Sequence, residues 1–299
     1  MRFIRDIFTE AHSTGRVVVS CEFFPTKTPE GERSLLGKTI PRLKAAGPEF
    51  CSVTYGAGGG TRDKTLDIVE AIQRDYGLPA MAHLTCVGAT CGDITGFLRD
   101  AHARGIRNIL ALRGDPPTGQ KEFTKTEGGY EFSYQLVEAI RDHGGFSIGT
   151  AGFPEGHIAC TEGREVDWGR LKTKVDCGAD FVITQLFFDN DDFFRFRDHL
   201  RDLGMDRPIT AGIIPILSGT QIRRFTDLCG ARLPERLTQR LDDLGGDDEA
   251  VREFGIEYAT EQCRGLIDDG VEGLHFYTLN KSRSTVQILE NLGLAESAA

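Results

Sequence analysis

Several short segments end an apolar run in a side chain capable of chemistry. Cys21-Glu22-Phe23-Phe24-Pro25 sets a carboxylate against two aromatic rings. Desolvation there raises a carboxyl toward neutral pH and suits it to general acid work, while a Glu paired with an Arg is the plainer alternative. In Ala82-His83-Leu84-Thr85-Cys86, period-2 alternation puts His83 and Thr85 on one face; a satisfied core histidine is the competing reading. Leu112-Arg113-Gly114-Asp115-Pro116-Pro117 flanks a glycine with opposite charges and stiffens the exit with two prolines. Asp115 there could accept from the donor nitrogens of a heterocycle or tune a redox ring, or simply pair with Arg113. Gln185, ending Phe181 to Gln185, offers an acceptor and a donor suited to an amide-like ring edge.

Other segments look like supports for a ligand. Thr54-Tyr55-Gly56-Ala57-Gly58-Gly59-Gly60-Thr61 permits close backbone approach and an anion at the following helix start, but matches neither the P-loop nor the dinucleotide fingerprint. Gly152-Phe153-Pro154-Glu155-Gly156-His157 places a ring and an imidazole four apart on a proline-constrained loop. Asp167, Arg170 and Lys174 share helical spacing and could meet a phosphate or ribose, with a solvent-facing ion pair the alternative for Lys174. His275, in His275-Phe276-Tyr277-Thr278-Leu279-Asn280-Lys281, reads equally well as a plain strand residue. The chain contains no HExxH motif, and Cys86 and Cys91 lack companion ligands, so no metal site is expected. A large heteroaromatic cofactor with a second planar ligand suits the set better.

These residues need a scaffold that gathers strand ends. Apolar runs at Val17 to Cys21, Glu49 to Thr54, Ala80 to Thr85, Asn108 to Leu112, Ser147 to Ala151, Phe181 to Gln185, Ile209 to Gly212 and Gly273 to Tyr277 read as eight strands. Amphipathic stretches between them include Arg33 to Ala46, Arg62 to Tyr76, Ile94 to Arg104, Phe132 to His143, Gly169 to Cys177, Phe193 to Leu203, Gln221 to Leu228 and Val251 to Asp268, with Thr285 to Asn291 last. Thr61 and Asp93 are expected caps. The alternation predicts an α/β fold, a (β/α)8 TIM barrel with extra helices before the last strand; an open doubly wound sheet is the rival. The expected organisation is a single barrel domain over 1–299, with 1–15 an N-terminal arm or helix over the lower opening and 231–268 an additional helical segment. Within it, Ala231 to Glu253 reads as a solvated connection.

The 299 residues carry a net charge of −10, which provides no general basic field for nucleic acid or an anionic membrane. No apolar run is long enough to span a bilayer. Eight cysteines without a CxxC, and no signal-like start, point to reduced thiols in a cytoplasmic protein. Thirty-six glycines without a collagen period imply many tight turns.

Taken in order, Cys21-Glu22-Phe23-Phe24-Pro25, Ser52-Val53-Thr54-Tyr55-Gly56-Ala57-Gly58-Gly59, His83-Leu84-Thr85-Cys86, Leu112-Arg113-Gly114-Asp115-Pro116, Ile183-Thr184-Gln185-Leu186-Phe187-Phe188-Asp189 and His275-Phe276-Tyr277-Thr278-Leu279-Asn280 resemble the bacterial FAD-dependent methylenetetrahydrofolate reductases. The resemblance implies FAD at the carboxyl face of the barrel and ping-pong reduction of 5,10-methylenetetrahydrofolate to 5-methyltetrahydrofolate by NADH or NADPH, within one-carbon metabolism and methionine biosynthesis. It implies Glu22 as general acid for opening the bridged ring, and Asp115 beside flavin and pterin, favouring iminium character electrostatically. Gln185 and Lys281 would contact folate. Thr54, His83, Arg113, Gly114, Asp115, Ala151, Phe153, His157, Asp167, Arg170 and Lys174 would hold the flavin, with Arg170 and Lys174 near its phosphates.

Three positions depart from the family pattern. Phe153 stands where some members carry Tyr, and Lys281 where an Arg occurs, which removes bidentate recognition of a carboxylate tail. Ser218-Gly219-Thr220 replaces a Ser-Asn-Phe whose ring stacks on substrate or nicotinamide. Two other readings therefore stay open: a flavin or nicotinamide barrel reductase of another planar substrate, and a noncatalytic folate- or flavin-binding subunit. Homo-oligomerisation is left open too.

Overall fold

Eight parallel strands close into a barrel in sequence order, each pairing with the next and β8 with β1. They are β1 (Val18–Phe23), β2 (Phe50–Val53), β3 (Ala80–Thr85), β4 (Asn108–Leu112), β5 (Ser147–Gly152), β6 (Phe181–Leu186), β7 (Ile209–Ile213) and β8 (Gly273–Tyr277). The structure, a computed structural model, describes residues 1–55, 62–116, 119 and 123–295. The glycine-rich run at 56–61, with its expected cap Thr61, and Pro117 lie outside the described residues. Closure rules out the open sheet.

The helices are α1 (Ile4–Thr14), α2 (Pro29–Ser34), α3 (Ile40–Ala45), α4 (Arg62–Tyr76), α5 (Cys91–Ala103), α6 (Ser133–His143), α7 (Arg164–Asp176), α8 (Asn190–Asp202), α9 (Gly219–Cys229), α10 (Glu235–Asp243), α11 (Asp248–Asp268) and α12 (Arg283–Asn291). Where one helix was expected over Arg33 to Ala46, α2 starts earlier, capped by Thr28 Oγ1 accepting from the Gly31 N–H at 3.1 Å. A π-helical turn at Leu35–Thr39 then joins it to α3. Pro41 has no N–H to donate four residues back, so the ladder is re-phased there. Asp93 is not the cap of α5. Thr90 is, and Asp93 sits three residues on, accepting from the Thr90 N–H at 3.0 Å in a capping box. The stretch read as a solvated connection contains α10, which buries Leu237 and Leu241, one turn apart.

Strand alternation sorts the core into two parts. Val19, Cys21, Phe23, Cys51, Val53, Ala82, Leu84, Ile109 and Ala111 face outward into the helix layer. Val18, Phe50, Met81, Leu110 and Phe181 face inward at the amino end of the barrel and form one cluster with Ile4, Ile7, Phe8 and Ala11 of α1. That helix stops the lower opening with apolar side chains. Above this floor the inward positions turn polar: Ser20, Ser52, His83, Thr210 and His275 are all buried. Among the described residues, no helix is long and apolar enough to cross a membrane.

Candidate active site

The parity that sends Val18 into the floor also points Ser20 and Glu22 inward, one and two pleats higher. Glu22 Oε2 lies 3.3 Å from His83 Nε2 of β3 and 3.5 Å from His275 Nε2 of β8. Ser52 of β2 donates its hydroxyl to the same oxygen at 3.4 Å. His275 Nδ1 faces Ser20 Oγ at 2.7 Å. Neither Nε2 has an aligned hydrogen-bond partner among the described residues, so proximity and burial carry these contacts. Burial pushes the Glu22 carboxyl up, but His275 and His83 together pull it down to about 2. That overturns the expectation of an acid raised toward neutrality: the two imidazoles outweigh desolvation, and Glu22 is an anion held between them.

Tyr277 closes one side of this cluster. Its hydroxyl donates to the Thr184 carbonyl oxygen at 2.6 Å, crossing β7 where Gly212 leaves room; a Cβ on Gly212 would stand 2.8 Å from the Tyr277 ring. Between Ile183 and Leu186 the β6–β7 register shifts. Gln185 lies in that bulge, half-buried, its Oε1 accepting from the Leu186 N–H at 2.9 Å. Gln185 and Phe153 line one shallow pocket, together with Glu155 and the α9–α10 connection at Gly230 and Ala231.

The rim groups most of the other expected residues. Arg113, Asp167, Asp115 and Lys174 all act electrostatically on His157, whose imidazole is pushed down first by burial and then by Arg113. Phe153 meets His157 edge-on with centroids 4.5 Å apart, and the His157 N–H donates to Asp167 Oδ2 at 3.1 Å. Lys174 Nζ donates to the Ala151 carbonyl oxygen at 2.7 Å, and burial lowers its ammonium to about 8. Burial raises Asp167. Thr54, just beyond β2, accepts at its carbonyl from Thr65. Gly114 takes a left-handed φ of +88°, and a Cβ there would stand 2.7 Å from Val87 Cγ1. Arg113 lies over the Phe123 ring, and forms no ion pair with the exposed Asp115 among the described residues.

Two expected residues stand apart. Arg170 ends in a pair with Glu162 of the preceding loop, so it acts on Asp167 only at a distance and makes no direct contact with Lys174 among the described residues. Lys281 is exposed beyond β8. Conversely, His275 and Ser20 belong to the Glu22 cluster although sequence reasoning left His275 as a plain strand residue and passed over Ser20. Their inward parity with Tyr277 and Glu22 was the available clue.

Comparison with known proteins bears on this geometry. A sequence model of the methylenetetrahydrofolate reductase family matches residues 7–293. The chain is 41% identical over 308 residues to methylenetetrahydrofolate reductase (NADH) 1 of Zea mays, covering 100% of this chain and 52% of that protein. It is 38% identical over 284 residues to 5,10-methylenetetrahydrofolate reductase of Escherichia coli, covering 95% of this chain and 93% of that one. The chain thus spans about half the length of the plant and yeast relatives it matches. Among solved structures, an uncharacterized Clostridium thermocellum protein that binds two copies of 5-methyl-5,6,7,8-tetrahydrofolic acid shares the fold, with a TM-score of 0.63 at 15% identity over 96% of this chain and 98% of that one.

Proposed function

Because the chain belongs to the methylenetetrahydrofolate reductase family, we propose that it reduces 5,10-methylenetetrahydrofolate to 5-methyltetrahydrofolate with FAD, taking electrons from NADH or NADPH in a ping-pong cycle. The single observation that carries this reading is the Glu22 cluster. A carboxylate and two imidazoles meet inside the barrel, and Arg113, Phe153, His157, Asp167 and Lys174 gather on and around the loops that leave the carboxyl ends of β4 and β5.

The residues fit a flavin. Thr85 Oγ1 is a buried polar atom without a hydrogen-bond partner among the described residues, as expected of a group that faces a polar ligand. When bound, FAD supplies the hydride carrier between nicotinamide and folate. Lys174, oriented through the Ala151 carbonyl, is the cation for its phosphates; Asp167 and His157 hold the loop around it. Gly114 lets the β4 exit turn tightly against Val87 and Thr85, which sets the position of Arg113 and Asp115 on either side of it.

The protein's own part in folate reduction is proton handling and orientation. Opening the bridged ring requires a proton at the departing nitrogen, and Glu22 is the group placed to pass it on. Since Glu22 is ionised between His83 and His275, it relays the proton as a carboxylate rather than supplying it as an isolated acid. Asp115 on the β4 rim supplies negative charge where the cationic iminium forms. Gln185 orients the pterin edge through its amide. Lys281, exposed beyond β8, is proposed to meet the solvent-facing end of the substrate.

Anaerobic stopped flow tests this directly. Holoenzyme should be bleached by NADH or NADPH and reoxidised by methylenetetrahydrofolate. Glu22→Gln should keep the first step and slow the second by roughly 10²- to 10⁴-fold. A protein that binds no FAD, or whose reduced form ignores methylenetetrahydrofolate, would favour the other-substrate or noncatalytic reading.

A further inference from the structure

The loop leaving β8 departs from ordinary backbone at two consecutive residues that are not glycine: Leu279 at φ 51° and Asn280 at φ 57°. A side chain there is held in the left-handed region only by its surroundings. The turn aims the Asn280 amide at β1. Asn280 Oδ1 accepts from the Phe24 N–H at 2.9 Å, and Asn280 Nδ2 donates to the Phe24 carbonyl at 2.9 Å. Two residues earlier, Thr278 donates its hydroxyl to the Glu22 carbonyl at 2.7 Å and accepts from the Asn280 N–H at 3.2 Å. Thr39, on the π-helical turn, donates to the Asn280 carbonyl at 3.3 Å. The β1–β8 ladder ends at the Glu22–Tyr277 pair. Beyond it, two side chains take the place of the missing strand backbone, gripping the chain on each side of Phe23.

We propose that Thr278 and Asn280 are positioning residues for Glu22, fixing the end of β1 so that its carboxylate stays between His83 and His275. The proposal rests on the reductase reading for its kinetic consequence, but its structural core does not. Among the described residues, these side chains are what holds the β1 exit on the β8 side: Phe24 has both backbone groups committed to Asn280, and the Glu22 carbonyl to Thr278. Displacing a proton-transferring group by a fraction of an ångström to 1 Å is enough to slow its step strongly.

Two measurements test it. Thr278→Val keeps the side-chain shape and removes both hydroxyl bonds; Asn280→Asp keeps the acceptor for the Phe24 N–H and loses the donor to its carbonyl. In stopped flow, each should slow reoxidation by methylenetetrahydrofolate roughly 10- to 100-fold while reduction by nicotinamide and FAD content, read by visible absorbance, stay as in the wild type. Proportional loss of both half-reactions, or loss of FAD, would show a merely structural role and overturn the proposal. In the apoprotein, the Glu22 carboxyl carbon, assigned by its absence in Glu22→Gln, should stay ionised down to about pH 3 in the wild type and titrate higher in Thr278→Val. An unchanged titration overturns the proposal whatever the substrate proves to be. If the wild type alone fails with methylenetetrahydrofolate, the functional reading falls and the titration decides the positioning claim by itself.

Discussion

Glu22 and His275 meet across the seam where β8 closes on β1, with Glu22 Oε2 3.5 Å from His275 Nε2 while the other ring nitrogen faces Ser20. The first and last strands of the barrel therefore share one buried charge. With His83 at 3.3 Å on the opposite side, the carboxylate is enclosed by groups from three strands.

This enclosure sets a pH dependence of stability. The folded-state value of Glu22 lies at about 2, below the ordinary 4.5. The native state thus binds fewer protons than the unfolded chain in that window. The stabilisation is complete above about pH 4.5 and disappears as pH falls through about 2. The shift is worth on the order of 3 kcal/mol. Urea unfolding followed between about pH 6 and pH 3 should show free energy falling more steeply in the wild type than in Glu22→Gln. Parallel profiles would mean the imidazoles do not hold the carboxylate as described.

Lys174 makes a second test through cofactor affinity. Its ammonium is lowered to about 8, so the charged form that attracts phosphate prevails below that pH and thins out above it. FAD binding to apoprotein, followed by quenching of flavin fluorescence, should weaken as pH rises through about 8. Lys174→Met should lower affinity roughly 10- to 100-fold and flatten that dependence. Arg170→Ala, whose guanidinium faces Glu162, should change affinity by no more than about 3-fold. Equal losses in the two variants would show that Arg170 swings inward on binding.

Gly114 tests the rim mechanically. Alanine there meets both an unfavourable left-handed φ and Val87 Cγ1 at 2.7 Å. Gly114→Ala should cost roughly 2–4 kcal/mol in thermal or urea unfolding. Adding Val87→Ala should recover the steric part and leave the backbone part, a coupling readable in a double-mutant cycle. Full tolerance of Gly114→Ala would mean the β4 exit is plastic.

Most of the scaffold was legible because each barrel strand keeps period-2 alternation and each outer helix buries a stripe. The inward direction of His83 and Thr85 followed from that alone. The extra helix expected within 231–268 is there, but α10 escaped as a separate element because its two leucines stand among charged residues and their burial depends on packing laid over the β7 exit. The direction of the Glu22 shift was misread for a related reason. Its aromatic neighbours are adjacent in sequence and speak of desolvation, whereas the imidazoles that reverse it arrive from β3 and β8 only on closure. Arg170 shows the converse limit: helical spacing fixes a face, but Glu162, from the preceding loop, decides where a long side chain ends.

The apolar stopper formed by α1 with Val18, Phe50, Met81, Leu110 and Phe181 makes the barrel a cul-de-sac. On the function proposed above, water and protons would reach Glu22, His83 and His275 from the opposite mouth, the one that would also admit ligands. A flat ring bound across that mouth would then shield the cluster from bulk water, so its proton would be replenished between visitors.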